Sequence, residues 1–343
     1  MTGSRPDPHP PRSPLLDATA GALAGCISRL VIGPLDVLKI RFQVQLEPIG
    51  TASQKLAARQ AASKYTGIGQ ALKTIAAEEG IQGLWRGTVP GLLLTIPYTA
   101  VQFAALQEAR AAAQKWGLMQ TSFAPAVSFV SGAVAGAAAT VASYPFDLLR
   151  TTLAAQGEPK VYHSMGQAAQ GIMKEKGVRG LYRGVNVTLL EIIPYAALQF
   201  GLYDAFTSAY TKARHSITHP EAGKGSERPR GDAWARFACG LAAGTLAKLA
   251  TNPLDVAKKR YQIAGLQRST IYGAHISNEY VSSLRTVLIQ IYRNEGIRGL
   301  YKGSSLSVLK AAPAAAITFA AYEFFIGYLS GVQAATTAVA RRH

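Results

Sequence analysis

An aspartate with a base three residues on recurs three times in this chain: Asp36 with Lys39, Asp147 with Arg150, and Asp255 with Lys258. At that spacing each pair shares one face of a helix. Each pair follows a proline at a fixed offset, in Pro34-Leu35-Asp36, Pro145-Phe146-Asp147 and Pro253-Leu254-Asp255. A proline inside a helix kinks it, and three kinked helices can bring their ends together. Each helix then offers one acid and one base to its neighbours, and the ring closes with no charge left over. The chemistry is reversible ion pairing, a plug of salt bridges across a pore. A pair that faces water on one side is worth about 0–1 kcal/mol. A ligand that prefers the open state can therefore shift it, which is what a gate requires.

A second set of charges also recurs by position. Five residues before each of these prolines stand Arg29, Thr140 and Lys248. Ten residues before each of a second set of prolines, Pro97, Pro194 and Pro313, stands a glycine, and seven after that glycine stand Leu94, Glu191 and Lys310. Ionisable groups in apolar helices are costly and mark pathways. Three bases and one acid at equivalent mid-helix positions fit a lined cavity better than side chains snorkelling to a surface. Arg29, Lys248 and Lys310 together suit an anion such as a phosphate or diphosphate. Glu191 among them suits a substrate that also bears a cationic or amino group.

The elements that must position these groups are read from 343 residues with a net charge of +17, 48% hydrophobic and only 16% charged. Soluble domains run at about 25% charged. Gly117–Phe146 and Gly87–Gln107 carry no charge at all, and about 20 apolar residues span a bilayer. Each repeat reads as an apolar helix, a polar loop with a short helix, and a second apolar helix. The long helices are expected near 16–44, 88–114, 122–155, 185–213, 232–263 and 304–330, with short ones near 67–79, 163–175 and 280–294. The second repeated block sits in the loops as Glu79-Gly80 to Trp85-Arg86-Gly87, Lys176-Gly177 to Tyr182-Arg183-Gly184, and Glu295-Gly296 to Tyr301-Lys302-Gly303. The expected organisation is a disordered tail 1–15 without a cleavable secretion signal, repeats 16–114, 115–213 and 232–330, a linker 214–231 and a tail 331–343.

The pattern Pro-x-Asp-x-x-Lys/Arg followed by Gly-x-x-x-x-Trp/Tyr-Lys/Arg-Gly, in three copies of about 100 residues, resembles the mitochondrial carrier family. The resemblance covers about 16–330. It implies an all-α membrane protein: six transmembrane helices in three pseudo-threefold repeats, with short matrix-side helices, working by alternating access in the inner mitochondrial membrane. It implies a matrix gate pairing Asp36 with Arg150, Asp147 with Lys258 and Asp255 with Lys39, braced by Gln43 and Gln262. Repeat 2 departs from it, with Ala154 at the brace, Lys176 for the usual acid and Thr152 for a usual base. The family's cytoplasmic gate maps to Arg110, Asp204 and Glu323 with the aromatics Tyr203 and Tyr322. Of these only Arg110 with Glu323 can form an ionic pair, so that gate is expected to open readily. The family's substrate contact points map to Gln102, to Glu191 with Ile192, and to Lys310.

Segments such as Lys39-Ile40-Arg41-Phe42, Lys258-Lys259-Arg260 and Tyr322-Glu323-Phe324-Phe325 are similar to those of family members that carry thiamine pyrophosphate. This implies thiamine pyrophosphate as substrate, exchanged for nucleotides or thiamine monophosphate. A nucleotide or coenzyme A-type carrier is the alternative. No cofactor or metal is expected: Cys26 and Cys239 are the only cysteines, too few for a disulfide framework or a Cys-based zinc cluster. No nucleophile–base pair points to an enzyme. The positive charge is spread over three loops without aromatic interleaving, which argues against nucleic acid. The expected partners are the small anionic substrate and inner-membrane lipids, cardiolipin among them, around a monomer. The basic within-repeat loops would face the inner compartment and both termini the intermembrane space.

Overall fold

In the computed structural model the described residues are 14–45, 65, 67–118, 124–217, 230–264 and 283–340. They are helical almost throughout: α1 Pro14–Val44, α2 Ile68–Glu79 with a 3-10 turn at Ile81–Trp85, α3 Thr88–Leu93, α4 Thr95–Lys115, α5 Ala124–Ala155, α6 Met165–Leu181, α7 Val185–Ile217, α8 Arg230–Ile263, α9 Leu284–Leu300 and α10 Ser304–Ala340. Pro34, Pro145, Pro194, Pro253 and Pro313 lie inside long helices. In repeat 1 the second long helix breaks at Leu94, just before Pro97, into α3 and α4. Helices α7 and α10 run into the segments read as linker and tail. No proline stands in either extension, and four of the seven residues from Ala334 to Ala340 are alanine, which favours the helix.

Helices α1 and α10, α4 and α5, and α7 and α8 pack along their lengths. The ring order is therefore α1, α3/α4, α5, α7, α8, α10. Small residues allow the close approach: Ala24, Ala135 and Ala243 are buried at equivalent positions, as are Ser28, Ala139 and Ala247. Ser28 Oγ donates to the Ala314 carbonyl, 3.2 Å away on α10. Five of the helical stretches are long and apolar enough to cross a membrane, Thr19–Val44, Ile81–Lys115, Phe129–Ala155, Val185–Ala213 and Ser304–Gly331. Helix α8 is as long but carries Lys248, Asp255, Lys258, Lys259 and Arg260. Large apolar side chains such as Leu30, Ile96 and Phe324 are exposed, as on a surface that lipid covers.

The buried clusters all lie at one end, where the last turns of α1, α5 and α8 meet the short helices. One joins Val37, Ile40, Val256, Ile263 and Ile291; a second joins Tyr144, Leu148, Ala168 and Ile172; a third joins Leu38, Tyr65, Ile75 and Leu306. Two buried ionic bolts pin this closed end. Glu79 is held by both Arg41 and Arg86, with Arg86 Nη1 at 2.8 Å. Glu295 is held by Arg260 at 2.6 Å and Lys302 at 2.7 Å. The arginines also reach across repeats: Arg41 Nε donates to the Ala154 carbonyl at 3.1 Å and Arg260 Nε to that of Gln43 at 3.0 Å. Burial pushes the Glu295 carboxyl up, but the hydrogen bonds and charge of Arg260, then Lys302, outweigh it and hold it below its ordinary range. Its contribution is present at neutral pH and lost as pH falls through that lowered value. Repeat 2 has Thr152 and Lys176 at the corresponding positions, and so has no such bolt.

Candidate functional site

The helices that carry Pro34, Pro145 and Pro253 bring the three aspartates and their bases together at the closed end. Lys39 Nζ stands 2.7 Å from Asp255 Oδ2, Arg150 Nη2 2.5 Å from Asp36 Oδ2, and Lys258 Nζ 3.3 Å from Asp147 Oδ2. Gln43 Nε2 donates to Asp255 Oδ2 at 3.1 Å, and Gln262 Nε2 to Asp147 Oδ2 at 3.0 Å. The chain packs tightly around this ring. A Cβ at Gly87, whose φ is +82°, would stand 2.6 Å from the Arg150 carbonyl oxygen, so only glycine fits there.

The neutral ring expected from the sequence is not what forms. Each ring acid faces a second base. Lys310 Nζ lies 2.6 Å from Asp36 Oδ1, Lys248 Nζ 3.1 Å from Asp255 Oδ2, and Lys259 Nζ 3.6 Å from Asp147 Oδ1. Lys259 also donates to Thr151 Oγ1 at 2.8 Å and Gln262 Oε1 at 3.1 Å. Sequence reasoning missed it because its counterparts, Ile40 and Thr151, are uncharged. The available signal was a base where threefold symmetry has none. Tyr144 was missed too: it accepts from Gln262 at 3.1 Å and donates to the Arg183 carbonyl at 2.7 Å.

Above the ring lies a cavity of about 1020 Å³ between α4, α5, α7 and α8. Its floor includes Asp147, Lys258, Lys248 and Glu191, its wall Tyr98, Gln102, Ile192 and Tyr195. Glu191 is buried and pairs with Lys248 at 3.0 Å. Lys248 also lies 5.9 Å from the Tyr195 ring centroid, within cation–π range. Thus Gln102, Glu191, Ile192 and Lys248 share one cavity. Arg29 and Lys310 stand instead on the Asp36 side, where Arg29 Nη1 donates to the Gly91 carbonyl beside the α3/α4 break. Over the whole closed end the three ring acids with Glu191 face Lys39, Arg150, Lys258, Lys310, Lys248, Lys259 and Arg29, an excess of positive charge, while the cavity floor itself balances Lys248 and Lys258 against Glu191 and Asp147.

The other end is open. Arg110, Asp204 and Glu323 are exposed, and among the described residues none of them takes part in an ion pair. Asp204 lines the cavity mouth. Tyr203 is half-buried, and Tyr322 donates its hydroxyl to Asp17 Oδ1 at 3.0 Å, tying α10 to α1. The arrangement is a well, basic at its bottom and closed there by breakable pairs. Its groups can bind and release an anion.

Comparison with known proteins gives the same outline. Residues 10–115, 122–214 and 230–333 match the family described as mitochondrial carrier protein. The chain is 50% identical over 341 residues to mitochondrial thiamine diphosphate carrier 2 of Zea mays, covering 96% of this chain and 100% of that one. It is 48% identical over 333 residues to mitochondrial thiamine diphosphate carrier 1 of Arabidopsis thaliana, covering 94% and 97%. It is 36% identical over 315 residues to the mitochondrial thiamine pyrophosphate carrier of Bos taurus, covering 91% and 92%.

Proposed function

The chain belongs to the mitochondrial carrier family, and from that premise we propose that it carries thiamine pyrophosphate across the inner membrane by alternating access. It is a multi-pass transporter, not an enzyme. The observation that carries the substrate reading is the excess of bases over acids at the closed end below the cavity, with the extra carboxylate Glu191 held on Lys248. Thiamine pyrophosphate brings a diphosphate, a thiazolium cation and an aminopyrimidine. The diphosphate draws Lys248 away from Glu191 and Asp255, which leaves Glu191 to face the thiazolium. It also draws Lys310 from Asp36. Both moves strip ring acids of a second base, so binding weakens the closed end. A ligand shifts a conformational equilibrium only through such a differential interaction.

In this reading the closed end is the matrix gate and the exposed Arg110, Asp204 and Glu323 belong to the cytoplasmic one. Both termini face the intermembrane space, the protein works as a monomer among lipids such as cardiolipin, and a nucleotide or thiamine monophosphate is the exchange partner. The test is uptake of labelled thiamine pyrophosphate by liposomes holding the purified chain and loaded with each candidate counter-substrate. Saturable uptake that depends on the internal load is expected. Uptake of adenine nucleotides or coenzyme A without thiamine pyrophosphate would overturn the reading.

The Asp36–Arg150 pair is the weak link of the gate. Its side chains are 17% and 24% exposed against 6% and 11% for Asp255–Lys39, and Ala154 stands where a bracing glutamine stands in the other repeats. Lys310 takes the place of that brace. In the braced repeats the glutamine lies against a glycine, Gln43 Cγ near Gly303 and Gln262 Cγ near Gly184; Ala154 lies against Gly87 in the same way, so a glutamine is accommodated. Ala154→Gln is expected to lower turnover about tenfold, since one hydrogen bond to a charged group is worth about 1.5–3 kcal/mol, with KM changing less. The concentration dependence of uptake measures both. Unchanged turnover would mean that this pair does not limit opening.

A further inference from the structure

The three second bases of the gate do not approach it from the same side. Lys248 lines the cavity, and Lys310 stands in the same helical layer as the cavity residue Glu191. The side chains of both are 28% exposed. The side chain of Lys259 is only 11% exposed. Asp147 and Lys258 close the cavity floor. Lys259 donates to Thr151 Oγ1 at 2.8 Å and to Gln262 Oε1 at 3.1 Å. Those two residues come four after Asp147 and Lys258, about one helical turn further from the cavity. An ammonium has three donors; the two hydrogen bonds and the Asp147 carboxylate at 3.6 Å surround this one with acceptors.

Of the three second bases, Lys259 alone ties two helices of the ion-pair ring to each other. Lys248 shares α8 with Asp255, and Lys310 reaches Asp36 from α10. Lys259 crosses from α8 to Asp147 and Thr151 on α5. The three joints of the ring are therefore unequal. The α1–α5 joint has Ala154 in the brace position, the α1–α8 joint has Gln43, and the α5–α8 joint has Gln262 and Lys259 besides. The counterparts of Lys259, Ile40 and Thr151, carry no charge, so the threefold plan requires no base here. Lys258 and Lys259 repel each other beside one carboxylate, and the neutral oxygens of Thr151 and Gln262 offset that cost. A phosphate in the cavity can draw Lys310 and Lys248 off their aspartates. Lys259 lies beneath the floor, out of its reach.

We propose that Lys259 is the latch of the gate, a positioning residue that touches no substrate yet sets how fast the loaded carrier opens. It does so by holding α8 to α5 from the side that the substrate cannot reach. The inference rests on the reading of the closed end as a gate. Substrate loosens the joints it can touch, and the latched joint remains as the barrier, since a ligand shifts an equilibrium only through groups it engages differently in the two states.

Exchange of labelled thiamine pyrophosphate by liposomes holding the purified full-length chain, at varied external concentration, tests this. Lys259→Met keeps the apolar stem and removes the charge. It is expected to raise maximal turnover about threefold to tenfold, less than the full worth of a hydrogen bond to a charged group because repulsion from Lys258 is relieved too. KM is expected to change less. Lys259→Arg keeps the charge and is expected to stay near wild type. Thr151→Val, nearly isosteric, removes one acceptor and is expected to raise turnover by a smaller factor. Ala154→Gln slows opening at the α1–α5 joint, and Lys259→Met is expected to offset that loss in the double variant, because both act on one barrier. A residue needed only for folding would instead lower turnover, lower the unfolding midpoint and deepen the loss in the double variant; that result would overturn the latch. So would unchanged turnover in both Lys259→Met and Thr151→Val beside normal exchange in wild type. No exchange in wild type would overturn the transport reading itself, and the latch with it.

Discussion

Asp36→Lys and Arg150→Asp are each expected to cut exchange about 10- to 100-fold, and the double reversal to recover only part of the loss. Removing one partner of a fully buried pair costs about 3–5 kcal/mol. Asp36 and Arg150 are partly exposed, so their share is smaller and solvent screens it. Either single change leaves two like charges facing each other across α1 and α5, and the carrier cannot dwell with this end closed. The double reversal restores the pair but leaves Lys310, now 2.6 Å from an acid, opposite a lysine. The same limit holds at Asp147 with Lys259 and at Asp255 with Lys248. Exchange rates in liposomes for the singles and doubles of all three pairs would decide. Full recovery would show that the second bases are idle in the gate. No recovery at any pair would remove the ring as a gate.

Glu191→Gln is expected to lower thiamine pyrophosphate exchange by about tenfold or more while nucleotide exchange is spared or rises. Glu191 is 8% exposed and its partner is Lys248 at 3.0 Å, so the interaction is little screened by salt. The amide keeps the size and part of the hydrogen bonding but no charge for the thiazolium. It also leaves Lys248 to Asp255 and to the incoming phosphates, which a purely anionic substrate would welcome. A charge-assisted hydrogen bond of about 1.5–3 kcal/mol sets the scale. Both rates can be taken on one preparation in liposomes loaded with either substrate. Equal loss of both, with an unchanged unfolding midpoint, would place Glu191 in the transport cycle and not in substrate choice.

Much of the architecture was legible in the chain because the molecule repeats itself. With three copies, the offset of a residue from its proline states which ring layer it occupies. Asp36, Asp147 and Asp255 fall in one layer, and Gln43 and Gln262 one turn beyond their bases. The departures were equally legible: Ala154, Thr152 and Lys176 stand out against two matching copies. Helix ends were less so, since α7 and α10 continue past the expected ends through segments without a proline, α10 along an alanine-rich run.

What the chain determined by itself was the period, the kinked helices, the layer of each charge and the preference for an anion. These follow from spacing and composition, which local helix geometry converts directly into faces and heights. Only the tertiary structure decided where long side chains end. Lys310 and Lys248 were placed at cavity positions by symmetry, yet their stems carry the ammonium groups onto Asp36 and Asp255. Lys259, one base in the run Lys258-Lys259-Arg260, turns into the ring while Arg260 turns away to Glu295. Arg29 seeks the Gly91 carbonyl beside the break before Pro97, a feature that α7 and α10 lack. A flexible side chain goes to the strongest uncompensated opposite charge or acceptor within reach, and which one that is depends on neighbouring helices about a hundred residues away in sequence.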